Sequence, residues 1–275
     1  MEPVSVVHPT LASSSLKPVG ARMVLLFDVS YSVDDLELQA QTEAMSEAIG
    51  SEDFKNAIFY PGGPGSIAIC VAEFHDEAKL RIGWVDVRKG EEYKLKQLAK
   101  EVADLERVDG GSTSQVYALR LARKLLKEAP WEGESNKVCL ITDGKENVYH
   151  KNREDSELLH EEVSELAEKY GATVNAFITE TRSESDLKEW SEENLITKDK
   201  HLREKDNPVD PGFVMVVATQ NSAKNPGAMV KYINAMRLAL RSTIIKVISC
   251  LEPVNRNSPA RGRRIEAQIP EIPIV

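Results

Sequence analysis

The stretch Met23 to Asp34, MVLLFDVSYSVD, constrains this chain more than any other. Five consecutive apolar residues, Met23 to Phe27, are too few for a helix and read as a strand buried on both faces, the habit of a parallel sheet. Polarity then changes within one residue. Asp28, Ser30 and Ser32 occupy alternate positions where the strand ends, so an extended backbone projects a carboxylate and two hydroxyls to the same side. Hard oxygen groups at the carboxyl end of a strand, where open α/β sheets place their ligands, point to a divalent cation. The same residue types also serve in turns and helix N-caps, so the pattern alone leaves both uses open.

Similar chemistry recurs at two later places. Val108-Asp109-Gly110-Gly111-Ser112-Thr113-Ser114 precedes a predicted helix from Gln115 to Lys127. Its glycines free the backbone to approach a ligand closely, and Thr113 is either an N-cap or a hydroxyl aimed at a metal; on local grounds the cap suffices. Asn136 to Thr142 reads as a buried strand ending in Asp143-Gly144, again a carboxylate at a strand's carboxyl end.

Between these places the chain alternates. Amphipathic helices are predicted over Asp35 to Ile49, Glu91 to Leu105, Glu157 to Tyr170, Glu184 to Asn194 and Ala228 to Ile248, with Phe54 to Phe59 prolonging the first or forming a short second. Strands are predicted over Ser66 to Phe74, Lys79 to Val87, Ala172 to Ile178 and Phe213 to Ala218. His75 to Ala78 is short enough for an antiparallel hairpin. Pro61 to Gly65 is a breaker cluster, and no Lys-Ser or Lys-Thr follows to make it a phosphate loop. The expected fold is α/β: one doubly wound, mostly parallel sheet with helices on both faces and one antiparallel edge strand. It spans residues 22–249, between an N-terminal extension (1–21) and a tail containing Pro and Arg (250–275). Thr197 to Pro211 is expected to be a long loop.

Composition narrows the partners. In 275 residues, 41% of them hydrophobic, there is material for a sizeable core. Lys plus Arg number 35 against 44 Asp plus Glu, and a net charge of -9 argues against duplex nucleic acid or an anionic membrane as the partner. Within so acidic a chain, Arg261 to Arg264 reads as a solvated tail. Cys70, Cys139 and Cys250 lie in or beside apolar runs, read as small buried hydrophobes without zinc spacing, and fit a reducing compartment. No signal peptide or membrane-spanning run is read from the sequence, so a cytoplasmic location is expected. His160-Glu161-Glu162 has Ser164 where a zincin helix needs its second His, and Trp84, Trp131 and Trp190 are read as separate packing residues.

Asp28-Val29-Ser30-Tyr31-Ser32, Thr113 and Asp143-Gly144 together resemble the von Willebrand factor A domain. That family's metal-ion-dependent adhesion site (MIDAS) uses an Asp-x-Ser-x-Ser loop, a Thr from a second loop and an Asp from a third. The resemblance covers about residues 22–249 and looks closest to the bacterial DUF1194-like subgroup. Asp-Val-Ser-x-Ser-Val-Asp at 28–34, Gly-Gly-Ser-Thr with Ala118-Leu119 following it, and Glu193-Asn194-Leu195-Ile196 carry that assignment. It implies Mg²⁺ or Mn²⁺ held by Asp28, Ser30, Ser32, Thr113 and Asp143, in a non-catalytic module that docks an Asp or Glu of a protein partner. Tyr31, Gly111, Ser112 and Gly144 would then face the partner, with Tyr31 and Val33 open to a packing role instead. Competing readings are an assembly component, in which the metal only stabilises the loops, and a metal-dependent hydrolase. Against the hydrolase, the chain has no HExxH, GxSxG or Walker signature, and its histidines are scattered.

Overall fold

The computed structural model describes residues 17–150, 153–180, 184–195, 212, 214–218 and 226–249. The expected long loop, the C-terminal tail and residues 1–16 of the extension lie outside the described residues. Strand β1 (Lys17–Asp28) is the centre of the design. Met23, Leu25 and Phe27 face one hydrophobic core and Val24 and Leu26 the other, so alternate side chains are buried on opposite sides. The strand begins inside the stretch expected to be extension: Lys17 to Val19 pair with Trp131 to Gly133, below the apolar run.

After β1 come α1 (Asp35–Gly50) and α2 (Glu52–Phe59), then β2 (Ser66–Phe74), β3 (Ala78–Arg88), α3 (Tyr93–Ala103), α4 (Gln115–Glu128) and β4 (Trp131–Thr142). The chain continues through α5 (Asp155–Tyr170), β5 (Ala172–Glu180), α6 (Glu184–Asn194) and β6 (Val214–Ala218), and the last helix, α7, is Pro226–Ser249. The six strands lie in the order β3-β2-β1-β4-β5-β6. All are parallel except β3, which pairs antiparallel with β2 at the edge. Helices α1, α2, α3 and α7 pack on one face, while α4 and α5 cover the other.

Helix boundaries follow from local chemistry. A capping box starts α1, with Asp34 accepting the Glu37 amide at 2.8 Å while the Glu37 carboxylate takes the Asp34 amide. Ser51 caps α2, and α5 stops at Gly171, whose φ of 57° is left-handed. Pro61 to Gly65 is a turn, as expected, with Gly62 and Gly65 at positive φ. Trp84 and Trp131, far apart in sequence, meet edge to face with ring centroids 6.4 Å apart. Cys70 and Cys139 are buried free thiols, whose ionisation burial pushes up; Cys250 lies outside the described residues. Among the described residues no helix is long and apolar enough to cross a membrane.

This topology fixes where a site can form. β1 and β4 are neighbouring parallel strands near the middle of the sheet, and their carboxyl ends deliver Asp28 and Asp143 to the same edge. The segment from α3 to α4 joins helices on opposite faces, and it carries Thr113 to that edge.

Candidate metal centre

Asp28 is the last residue of β1, with no solvent exposure. Its Oδ1 accepts the Ser30 amide at 2.9 Å, closing a tight turn, and its Oδ2 accepts the Thr142 hydroxyl at 2.5 Å. Val29 and Val33 turn inward and form a small apolar cluster with Leu38 of α1, which anchors the loop from below. Between them Ser30 is buried, Ser32 is exposed and Tyr31 is 79% exposed. Of the two intervening side chains, therefore, Val33 is a packing residue and Tyr31 is available at the surface.

The sequence-predicted donors come together. Thr113 Oγ1 donates to Ser30 Oγ at 3.0 Å, the Ser30 and Ser32 hydroxyls are 3.0 Å apart, and Ser32 donates to Asp143 Oδ1 at 2.9 Å. With Ser30 donating to Ser32, all three hydroxyl protons run one way, toward Asp143. One continuous chain of oxygens thus links three loops.

Its two carboxylates are held under electrostatic tension. Burial raises Asp28 from the ordinary value of 3.8 to about 6, the nearby Asp143 charge adds to this, and bonds from Thr142 and Ser30 offset part of it. Asp143 is also raised by burial, against the opposing effects of the Ser32 hydroxyl and the Arg107 charge. A cation between them would relieve both. The donors are two carboxylates and three hydroxyls, an all-oxygen set that fits a hard divalent ion such as Mg²⁺ or Mn²⁺ better than a thiophilic one. Among the described residues no cluster of three or more His, Cys, Asp or Glu side chains is placed to hold a metal.

Thr113 does not cap the helix. Ser114 does, accepting the Tyr117 amide at 3.3 Å, and this leaves the Thr113 hydroxyl to Ser30. Thr113 is further fixed by Asn147, which accepts its amide at 2.6 Å and donates to its carbonyl at 3.0 Å. Buried Glu146 accepts the Val116 amide at 2.9 Å, and Gln115 donates to the Gly144 carbonyl at 2.7 Å. The second and third loops are stitched together. Gly110 and Gly111 have a role that backbone freedom alone does not describe: they clear space for neighbours. A Cβ at Gly110 would sit 2.8 Å from the Tyr31 ring, and one at Gly111 would sit 2.6 Å from the Asp76 carboxylate. Ser112 is exposed, while Gly111 and Gly144 are half-buried.

Arg107, like Asn147 and Glu146, is a residue that sequence reasoning missed. Its guanidinium donates to the carbonyls of Val29 at 2.7 Å and Ser30 at 2.9 Å, reaches that of Val33, and pairs with Asp35 at 3.2 Å. A single fork therefore holds the backbone of the Asp28 loop from both ends. Nothing in Glu106-Arg107-Val108-Asp109 marks it, because the stretch reads as a solvated charged loop.

The fold and the family follow from comparison with known proteins. Proximal thread matrix protein 1 from the mussel byssus matches over 84% of this chain and 47% of its own, with 16% identity and a TM-score of 0.50. A form of that protein with a zinc-occupied MIDAS motif matches over 82% and 47%, with 16% identity and a TM-score of 0.46. A von Willebrand factor type A protein from Catenulispora acidiphila matches over 82% and 43%, with 14% identity and a TM-score of 0.47. This chain spans about half the length of these solved chains. No curated protein sequence matches it. The family described as protein of unknown function (DUF1194) matches residues 18–203, well over half of the sequence. The chain belongs to the DUF1194 family and has the von Willebrand factor A fold.

Proposed function

We infer that this domain is a non-catalytic binding module that docks an acidic side chain of a protein partner through a divalent cation, Mg²⁺ or Mn²⁺. Asp28, Ser30, Ser32, Thr113 and Asp143 are assigned as the residues that hold the ion, directly or through water. The observation that carries the reading is the one-way chain Thr113–Ser30–Ser32–Asp143, with buried Asp28 beside it. Three of these donors are neutral hydroxyls, which locate a cation without cancelling its charge. A bound ion would supply an electrophilic position for a carboxylate oxygen from the partner. The protein's own share is to hold the loops: Arg107 clamps the first, and Asn147 and Glu146 tie the third to the second.

Calorimetric titration of Mg²⁺ and Mn²⁺ tests the assignment. About one ion should bind per chain, and a variant carrying Asp28→Ala and Ser30→Ala should lose it. Absence of binding to the wild type, with or without acetate to complete the coordination, would refute the assignment and move the assembly role to first place.

A further inference from the structure

The three loops that build the centre each raise one large apolar side chain into solvent. Tyr31 is 79% exposed, Val108 72% and Tyr149 86%, on the first, second and third loops respectively. Single exposed hydrophobics are ordinary, but the Tyr31 ring lies against Gly110, two residues from Val108, so these two form an apolar rim on one side of the site. Tyr31 is not spare core material, because Val29 and Val33 already anchor its loop. Its ring lies over Gly110, and its amide is fixed to the Gly111 carbonyl at 3.0 Å.

Charge on one flank of this rim is unbalanced. Asp35, Asp76 and Asp109 are exposed there, and the Asp76 carboxylate lies against Gly111. Nearby cations are already engaged, Arg107 by the loop carbonyls and Asp35, and Lys79 by Glu77 and Asp109. A wholly acidic segment approaching the cation would meet repulsion on this side, whereas a segment with a basic residue there would be drawn in.

Building on the metal-docking reading, we propose that the partner presents an amphoteric segment. It carries an Asp or Glu for the cation, a large apolar residue to lie on Tyr31 and Val108, and a Lys or Arg over Asp35, Asp76 and Asp109. The rim selects the partner, and the cation only anchors it.

The test uses the full chain saturated with Mn²⁺ and acetylated, Gly-flanked peptides with the cores Leu-Glu-Lys, Gly-Glu-Gly and Leu-Glu-Glu. Leu-Glu-Lys should bind at least about tenfold more tightly than either of the others. Tyr31→Ala should abolish the advantage of Leu, and Asp109→Lys the advantage of Lys, while both variants keep wild-type affinity for Mn²⁺ alone. Equal affinity for all three peptides, or no measurable binding of any by a protein that binds Mn²⁺, would overturn the proposal. Loss of Mn²⁺ binding itself, or peptide binding unchanged in excess EDTA, would instead overturn the metal-docking reading on which it rests.

Discussion

Asp28→Asn replaces a buried carboxyl with a neutral amide of the same shape. The neighbours can accommodate the change. Oδ1 still accepts the Ser30 amide, and the new Nδ2 donates to Thr142 Oγ1, whose proton can turn to the Gly144 carbonyl at 3.3 Å. What disappears is the cost of ionising a buried acid. The folded value of about 6 lies above the ordinary 3.8, so the native state holds this proton more tightly than the unfolded chain does. Below pH 3.8 both states are protonated and the group costs nothing; as pH rises, the unfolded chain releases its proton first and native stability falls, until the full loss stands above about pH 6. At 1.36 kcal/mol per tenfold change in the proton equilibrium, that loss is about 3 kcal/mol. In EDTA at pH 7.5 the Asn variant should therefore exceed the wild type by up to about 3 kcal/mol in urea denaturation, with the difference closing near pH 4. Added Mg²⁺ at a hundred times its dissociation constant should cancel most of the contrast, since it stabilises the wild type by about 2.7 kcal/mol and the variant not at all, and at a thousand times, about 4.1 kcal/mol, it should reverse it. An Asn variant no more stable than wild type at pH 7.5, or a difference that does not vary with pH, would refute the reasoning.

Other perturbations probe the supports of the site. Arg107→Ala strips partners from three loop carbonyls and should lower stability by about 2 kcal/mol and Mn²⁺ affinity by at least about tenfold, measured by urea denaturation and calorimetry. Ser114→Ala should cost about 1 kcal/mol by removing the α4 cap while leaving metal affinity intact, whereas Thr113→Val should weaken the metal with less effect on stability. Glu146→Ala should cost about 1–3 kcal/mol by orphaning the Val116 amide, and Glu146→Gln, which keeps an acceptor, should recover most of it.

Much of this architecture is legible in the residues. Ser66 to Phe74 and Glu184 to Asn194 match their observed elements end to end, because an apolar run bounded by turn residues and an amphipathic period are local signals. β1 and β4 extend well below their apolar runs because Lys17 to Ala21 pair with Trp131 to Ser135, and pairing between partners this distant leaves no mark on either segment alone. Buried Arg22 shows the same limit. It sits inside β1 because Asn136 and the carbonyls of Leu126 and Trp131 receive its protons, partners that hydropathy cannot see. At the site, residue type and order suffice to pick out five oxygen-bearing residues that the fold brings together. Their supports escape notice for the opposite reason: Arg107, Asn147 and Glu146 are ordinary loop residues until the fold gives them something to hold. Local rules allow Thr113 as the cap, and only the fold shows that the next residue, Ser114, takes that role.

The hydroxyl chain also dates the site within folding. Thr113 reaches Ser30 across 83 residues, and Ser32 reaches Asp143 across 111. Contacts this distant form only once long loops have closed, at an entropic cost that local contacts do not carry. A growing chain that has not yet placed β4 beside β1 holds Asp28, Ser30 and Ser32 but lacks Asp143, and so has only part of a coordination shell. An ion would then bind only the finished domain and draw the folding equilibrium toward it by mass action. Occupancy of the centre would be a readout of completed folding, and a partner that requires the ion would be unable to engage an unfinished chain.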